Sequence, residues 1–138
     1  GGRLGVLVEL NCETDFVAKT EGYSELAHNL AMQIAATNPL AIRREDIDAT
    51  VVEHEKSIFA DQAKESGKPE NIIEKMVEGR MDKFYAESCL LEQSFIKDPD
   101  KKVGDLLTQA MSTLGENIVV SRFTRFAIGE ESSNGQPH

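Results

Sequence analysis

Thiols, imidazoles and carboxylates are the side chains with which this chain would do covalent or metal chemistry. Cys12 stands beside Glu13 and Asp15. Nearby carboxylates stabilise a thiol over its thiolate, and no histidine is placed locally to act as a base, so Cys12 reads as a structural thiol. His28, His54 and His138 have no metal-ligand spacing: the first two fall on different helical segments and the third in the tail. A zinc site drawing on Cys12, Cys89 and a histidine is the sharpest metal arrangement, and nothing in the spacing supports it. Gly67-Lys68-Pro69 has the glycine and lysine of a phosphate loop. It lacks the upstream glycine spacing and the Ser or Thr after the lysine, and reads as a helix stop followed by a helix start. The expectation is therefore no catalytic residue, no metal and no cofactor.

One segment resists a purely structural account. Asn11-Cys12-Glu13-Thr14-Asp15-Phe16-Val17-Ala18 follows a strand and leads into helical sequence. Thr14 is suited to cap a helix, and Asp15 to sit against its positive N-terminus. Phe16 has two open placements. It either plugs the top of the core or projects as an aromatic anchor of the kind that dominates interfaces.

The elements that position this corner are legible as periodicities. Leu4, Val6, Val8 and Leu10 alternate with Gly5, Leu7, Glu9 and Asn11, the signature of a strand. A second long strand spans Ile118 to Ile128, with its alternation broken near the middle by a twist or bulge. The two should pair, since neither satisfies its backbone alone. The apolar segment from Cys89 to Ile96 is a third strand candidate, closed by Asp98-Pro99-Asp100 as a turn. Between them the period turns helical. Leu26, Leu30 and Ile34 form a stripe ending at Asn38-Pro39. A second helix starts near Asp48 or Thr50 and stops at Ser66-Gly67. A third follows Pro69 and buries Ile72, Ile73, Met76, Val77 and Phe84 over about four turns. A fourth runs from Val103 to Leu114, with Gly115 as its left-handed stop. Strand, three helices, short strand, helix and strand give an α+β fold: a small antiparallel sheet of about three strands covered by helices. Residues 1–130 form one domain, and 131–138 have too little to bury and read as a disordered tail.

Length and composition set the outer limits. A chain of 138 residues can bury a core without staples. The net charge of −9 repels phosphate backbones and argues against a direct nucleic-acid partner. No apolar run approaches a membrane span. Two cysteines make no disulfide framework, and free thiols in a reducing compartment are the better reading. The chain opens Gly1-Gly2-Arg3 without an initiator methionine, which reads as a fragment or processed product.

The stretch Val8 to Ala18 resembles the signature of translation elongation factor Ts. The similarity continues in Ala31-Met32-Gln33-Ile34-Ala35-Ala36, Ser66-Gly67-Lys68-Pro69, Ile73 to Met81, and Leu114-Gly115-Glu116-Asn117-Ile118-Val119-Val120. The resemblance spans residues from about 4 to 129 and makes 1–130 the core domain of that family. It implies a guanine nucleotide exchange factor for elongation factor Tu, not an enzyme. In the family, the segment here formed by Thr14, Asp15, Phe16 and Val17 pushes into the partner's GTPase domain. The resemblance implies that Asp15 and Phe16 would disturb the elements that hold magnesium and phosphate, so that GDP leaves. Leu114 and Gly115 are implied as further contacts.

This chain departs from the family pattern in lacking the small N-terminal helical domain, which implies reduced affinity for the partner. Its core is single, whereas longer members carry two related modules. Short members dimerise through the core, so a homodimer is an expectation. A scaffold that docks on elongation factor Tu without opening its nucleotide site is the alternative function. A cysteine enzyme using Cys12 is a distant third. The implied location is the bacterial cytoplasm, or else an organelle matrix or stroma.

Overall fold

The computed structural model describes residues 3–129 together with Ser133 and Asn134. Strand β1 (Leu4–Asn11) leads to a single helical turn, α1 (Asp15–Ala18), and then to α2 (Glu21–Thr37). Two long helices follow, α3 (Ala49–Lys64) and α4 (Glu70–Ser88). After them come the short strands β2 (Ser94–Phe95) and β3 (Asp98–Lys102), α5 (Val103–Leu114), β4 (Val119–Ala127) and β5 (Ser133–Asn134). The architecture is the expected α+β type. The stops are the ones the residues dictate: Asn38 closes α2 at φ 46°, Asp48 caps α3 by accepting from Thr50 N–H at 2.8 Å, and Gly115 ends α5 at φ 74°.

The first and last long strands pair antiparallel, from Leu4 opposite Ala127 to Asn11 opposite Val119. The register slips after Glu9: Glu9 faces Arg122 while Leu10 faces Val120, leaving Ser121 bulged. That extra residue resolves the broken alternation. It turns both Val120 and Phe123 inward, although they are three positions apart, and both are buried. Phe123 and Val120 join Val6, Val8 and Leu10 against Leu26, Leu30 and Ile34 of α2 and Val103 and Leu107 of α5. The helices thus cover one face of the sheet. The opposite face carries Leu7, Phe126 and Ile128, which are 70%, 50% and 75% exposed.

The third strand is not where the sequence placed it. Cys89 to Ile96 does not join β1 and β4. Leu90–Glu92 is a 3-10 turn, and Ser94–Phe95 pairs with Asp98–Lys102 in a separate two-stranded ribbon. Asp98-Pro99-Asp100 is strand rather than turn, and the reversal falls at Ile96 and Lys97. Cys89 and Leu90 are drawn into the core by pairing with 40–42: Leu40 N–H donates to Ser88 C=O at 2.8 Å and Leu90 N–H to Ala41 C=O at 2.9 Å. The third member of the main sheet is instead Ser133–Asn134, opposite Arg125 and Thr124. The rest of 131–138, read from sequence as a disordered tail, lies outside the described residues.

Helices α3 and α4 form an antiparallel hairpin with a small core of their own, where Ala63, Val77 and Met81 are buried against Val52, Phe59 and Ile73. Helix α4 runs for 19 residues, longer than the four turns expected, and Ile72 near its start is 40% exposed rather than buried. At the hairpin tip each helix has a single neighbour, so only one narrow stripe is covered.

A polar knot fixes α2 to the β2–β3 ribbon. Gln33 is fully buried; its amide donates to Gln93 Oε1 at 3.1 Å and to Ser94 C=O at 3.0 Å, and its Oε1 accepts from Ile96 N–H at 3.0 Å. Three satisfied bonds make this buried amide tolerable.

Candidate functional site

The corner between β1 and α2 is built by three constraints. Thr14 is the N-cap of α1, its hydroxyl oxygen accepting from Val17 N–H at 3.5 Å. Val17 is 7% exposed and anchors the turn from below. Tyr23, one turn into α2, donates its hydroxyl to the Leu10 carbonyl and ties α2 to the end of β1. Burial, with the hydrogen bond to Cys12 beside it, pushes the Tyr23 phenol up to about 12, so it stays a donor at any ordinary pH.

Held this way, α1 turns Phe16 outward. Phe16 is 86% exposed, the most exposed large apolar side chain among the described residues, while the neighbouring Val17 is buried. Of the two placements open to Phe16 from sequence, the structure adopts the projecting one. Asp15 is exposed beside it in the first turn of α1.

Leu114 and Gly115 come to the same end of the molecule. Gly115 sits at φ 74°, a conformation that bends the chain sharply as α5 ends. Gly115, Glu116 and Glu13 line one shallow recess with Met111, Ser112 and Asn117. Leu114 is half-buried against the core and lines a shallow recess with Gly22 and Leu26 of α2. The six residues expected from sequence therefore fall on two segments that share one end of the fold.

Glu116 joins them, and as a site residue it was not foreseen. Its Oε1 accepts the backbone N–H of Glu13 at 3.0 Å and of Thr14 at 2.9 Å, and its Oε2 accepts the Thr14 hydroxyl. No local pattern links positions 102 apart; the only sequence signal is an acidic residue directly after a left-handed glycine.

Among the described residues, no group of three or more His, Cys, Asp or Glu side chains is placed to hold a metal ion. Cys12 is half-buried, and its thiol donates to the Thr14 carbonyl at 3.2 Å. Cys89 is fully buried, with its thiol pushed up to about 12 by desolvation. Both are free. No helix is long and apolar enough to cross a membrane among the described residues. A cleft of about 890 Å³ opens between α3 and α4, but its lining is helix-hairpin residues such as Val77 and Met81 and none from the corner.

The family model described as elongation factor TS matches residues 1–130. A curated relative named elongation factor Ts in Syntrophobacter fumaroxidans is 58% identical over 131 residues, covering 95% of this chain and 66% of the relative. Relatives of the same name in Alkaliphilus oremlandii and Geotalea daltonii are 59% and 56% identical over 130 residues, covering 94% of this chain and 60% of each relative. The chain thus spans about three-fifths of the length of the curated relatives it matches. With the family model and these relatives agreeing over nearly every residue, the chain belongs to the elongation factor Ts family.

Proposed function

We propose that this chain acts in translation elongation as a guanine nucleotide exchange factor, binding the GTPase elongation factor Tu and promoting release of its GDP. The observation that carries the reading is Phe16. A large aromatic held 86% exposed on a capped, anchored helical turn loses apolar burial in the free protein and regains it only against a partner. Asp15 adds a negative charge next to that anchor, suited to a site that holds magnesium and phosphate through complementary charge.

Exchange needs no acid, base or nucleophile on this chain. A factor that binds the nucleotide-free partner more tightly than the GDP-bound partner weakens GDP binding by the same ratio. Of the Thr14, Asp15, Phe16 and Val17 segment, Thr14, Asp15 and Phe16 are exposed to a partner, with Leu114 and Gly115 beside them, while Val17 lies beneath the turn. Thr14 and Val17 shape the turn, and Phe16 and Asp15 make the contact. The bacterial relatives support a bacterial cytoplasm as the place of action.

The test is stopped-flow release of fluorescent GDP from elongation factor Tu, with and without this chain and with Phe16→Ala. Accelerated release that disappears in the variant supports exchange. Binding without acceleration would mean a docking module.

A homodimer is a second reading that one observation favours. Leu7, Phe126 and Ile128 lie exposed together on the face of the β1–β4 sheet away from the helices, a surface fit for a second copy. Sedimentation at micromolar concentration decides it: a monomer mass removes the reading.

A further inference from the structure

We propose that Glu116 is the positioning residue of this surface, welding the loop after α5 to the β1–α1 corner so that Gly115 and Phe16 meet the partner as one rigid body. The inference rests on the exchange reading above.

Helix α1 has four residues. One isolated turn fixes several dihedral angles for almost no hydrogen bonding, so it does not hold its own direction. Packing of Val17 anchors its inner side, and Thr20, whose N–H and hydroxyl both donate to the Val17 carbonyl, ties its far end to α2, but these contacts lie away from the end at Glu13 and Thr14. Glu116 supplies what packing lacks. Two backbone N–H groups and one hydroxyl converge on a single carboxylate, fixing Glu13 and Thr14 in both distance and direction. Because the Thr14 proton is committed to Glu116, its oxygen is left to accept from Val17 N–H, so clamp and cap form one chain of bonds.

Electrostatics argue for the same role. In a chain of net charge −9, Glu116 is brought against the segment that carries Glu13 and Asp15. A third carboxylate there is repelled by the other two, and a neutral acceptor would avoid that cost. The placement is accounted for if a charged acceptor is required to hold the corner stiff under load. Force on Phe16 then passes through Thr14 and Glu116 into α5, instead of bending a single helical turn.

The experiment compares GDP release from elongation factor Tu at saturating chain for wild type, Glu116→Ala, Glu116→Gln and Phe16→Ala. Glu116→Ala should slow the accelerated release by about tenfold, the loss expected when charge-assisted hydrogen bonds go. Glu116→Gln keeps one carbonyl oxygen for the two N–H groups and should lose about threefold. The double variant is read by its affinity for nucleotide-free elongation factor Tu, a signal that does not require release: in the Phe16→Ala background, Glu116→Ala should cost little further affinity, because a positioning residue acts only through what it positions. Additive losses of affinity in the double variant, or wild-type release in Glu116→Ala, would overturn the proposal. If Glu116→Ala does not fold, wild-type release in Glu116→Gln overturns it, and a partial loss of release with little loss of affinity in the Phe16→Ala background supports it. Amide exchange separates this failure from failure of the exchange reading. If wild type itself does not accelerate release, the exchange reading falls. Faster exchange at Glu13 and Thr14 in the variants then still supports the weld, and unchanged exchange overturns it.

Discussion

Arg44 and Glu92 meet through two hydrogen bonds across the base of the α3–α4 hairpin, Nε to Oε2 at 3.0 Å and Nη2 to Oε1 at 2.5 Å. The Arg44 guanidinium also lies 4.4 Å over the Tyr85 ring. The pair holds the Glu92 carboxyl below its ordinary range, chiefly through the arginine hydrogen bonds. A carboxylate depressed in the folded state contributes stability above its unfolded value of 4.5, and the contribution is lost as pH falls through the lower native value. Since Arg44 is 43% exposed, solvent screening limits the pair's worth. Arg44→Met should cost about 1 kcal/mol in urea unfolding at pH 7, and less as pH is taken below 4.5 to pH 3. An equal cost at both pH values would mean that Arg44 acts by packing on Tyr85 alone.

Phe16 and Val17 are adjacent yet should behave oppositely. Phe16→Ala removes an exposed side chain and should change stability by less than about 0.5 kcal/mol, while abolishing, on the proposed exchange function, the acceleration of GDP release. Val17→Ala hollows a buried site and should cost about 1–2 kcal/mol. Thermal unfolding of the two variants in parallel checks both. A destabilised Phe16→Ala would show that the ring supports the fold.

Two glycines separate strain from collision. A Cβ on Gly115 would touch nothing within 4 Å, but at φ 74° any side chain is strained, so Gly115→Ala should cost about 1 kcal/mol. Gly104 has no positive φ, but a Cβ there would lie 2.9 Å from the Leu91 carbonyl oxygen. Its backbone neighbour cannot move aside cheaply, so Gly104→Ala should cost more, about 2 kcal/mol. Urea midpoints in the reverse order would refute this reading.

Cys89 should make the protein sensitive to alkali. Burial pushes its thiol from 9.0 to about 12. The neutral form is favoured in the folded state, so stability is full below 9.0 and falls as pH rises toward 12. The Tyr23 phenol, raised from 10.0 to about 12, steepens the same decline. The urea midpoint should therefore drop between pH 8 and pH 10.5, and by less in Cys89→Ala. In native protein at pH 8 a thiol reagent should label Cys12 alone, with Cys89 reacting only after denaturant is added.

The two long strands and the principal helices were legible because their signals are local. Alternation marked β1, and Asn38, Asp48 and Gly115 marked helix ends through chemistry that each residue carries with it. The segment from Cys89 to Lys102 was misread because its short apolar run is satisfied by distant backbone at 40–42 rather than by a sheet, and length alone cannot distinguish these. Ile72 follows the helical period but sits at a hairpin tip, and periodicity predicts a face without saying whether anything covers it. At the site, residue types singled out Thr14 and Asp15 but left the direction of Phe16 open. Glu116 and Gln33 were missed as anchors because each acts on partners sixty or more positions away.

The backbone knot between 40–42 and 88–91 has a bearing on how the molecule can change. Leu40 donates to Ser88, Leu90 to Ala41 and Leu91 to Ile42, so the chain departs into α3 and α4 and returns to nearly the same spot. An excursion with adjacent ends is, topologically, an insertion. It can lengthen or shorten at its tip near Gly67 while β1, β4 and the Phe16 corner keep their contacts, leaving evolution free to remodel one end of the protein independently of the other.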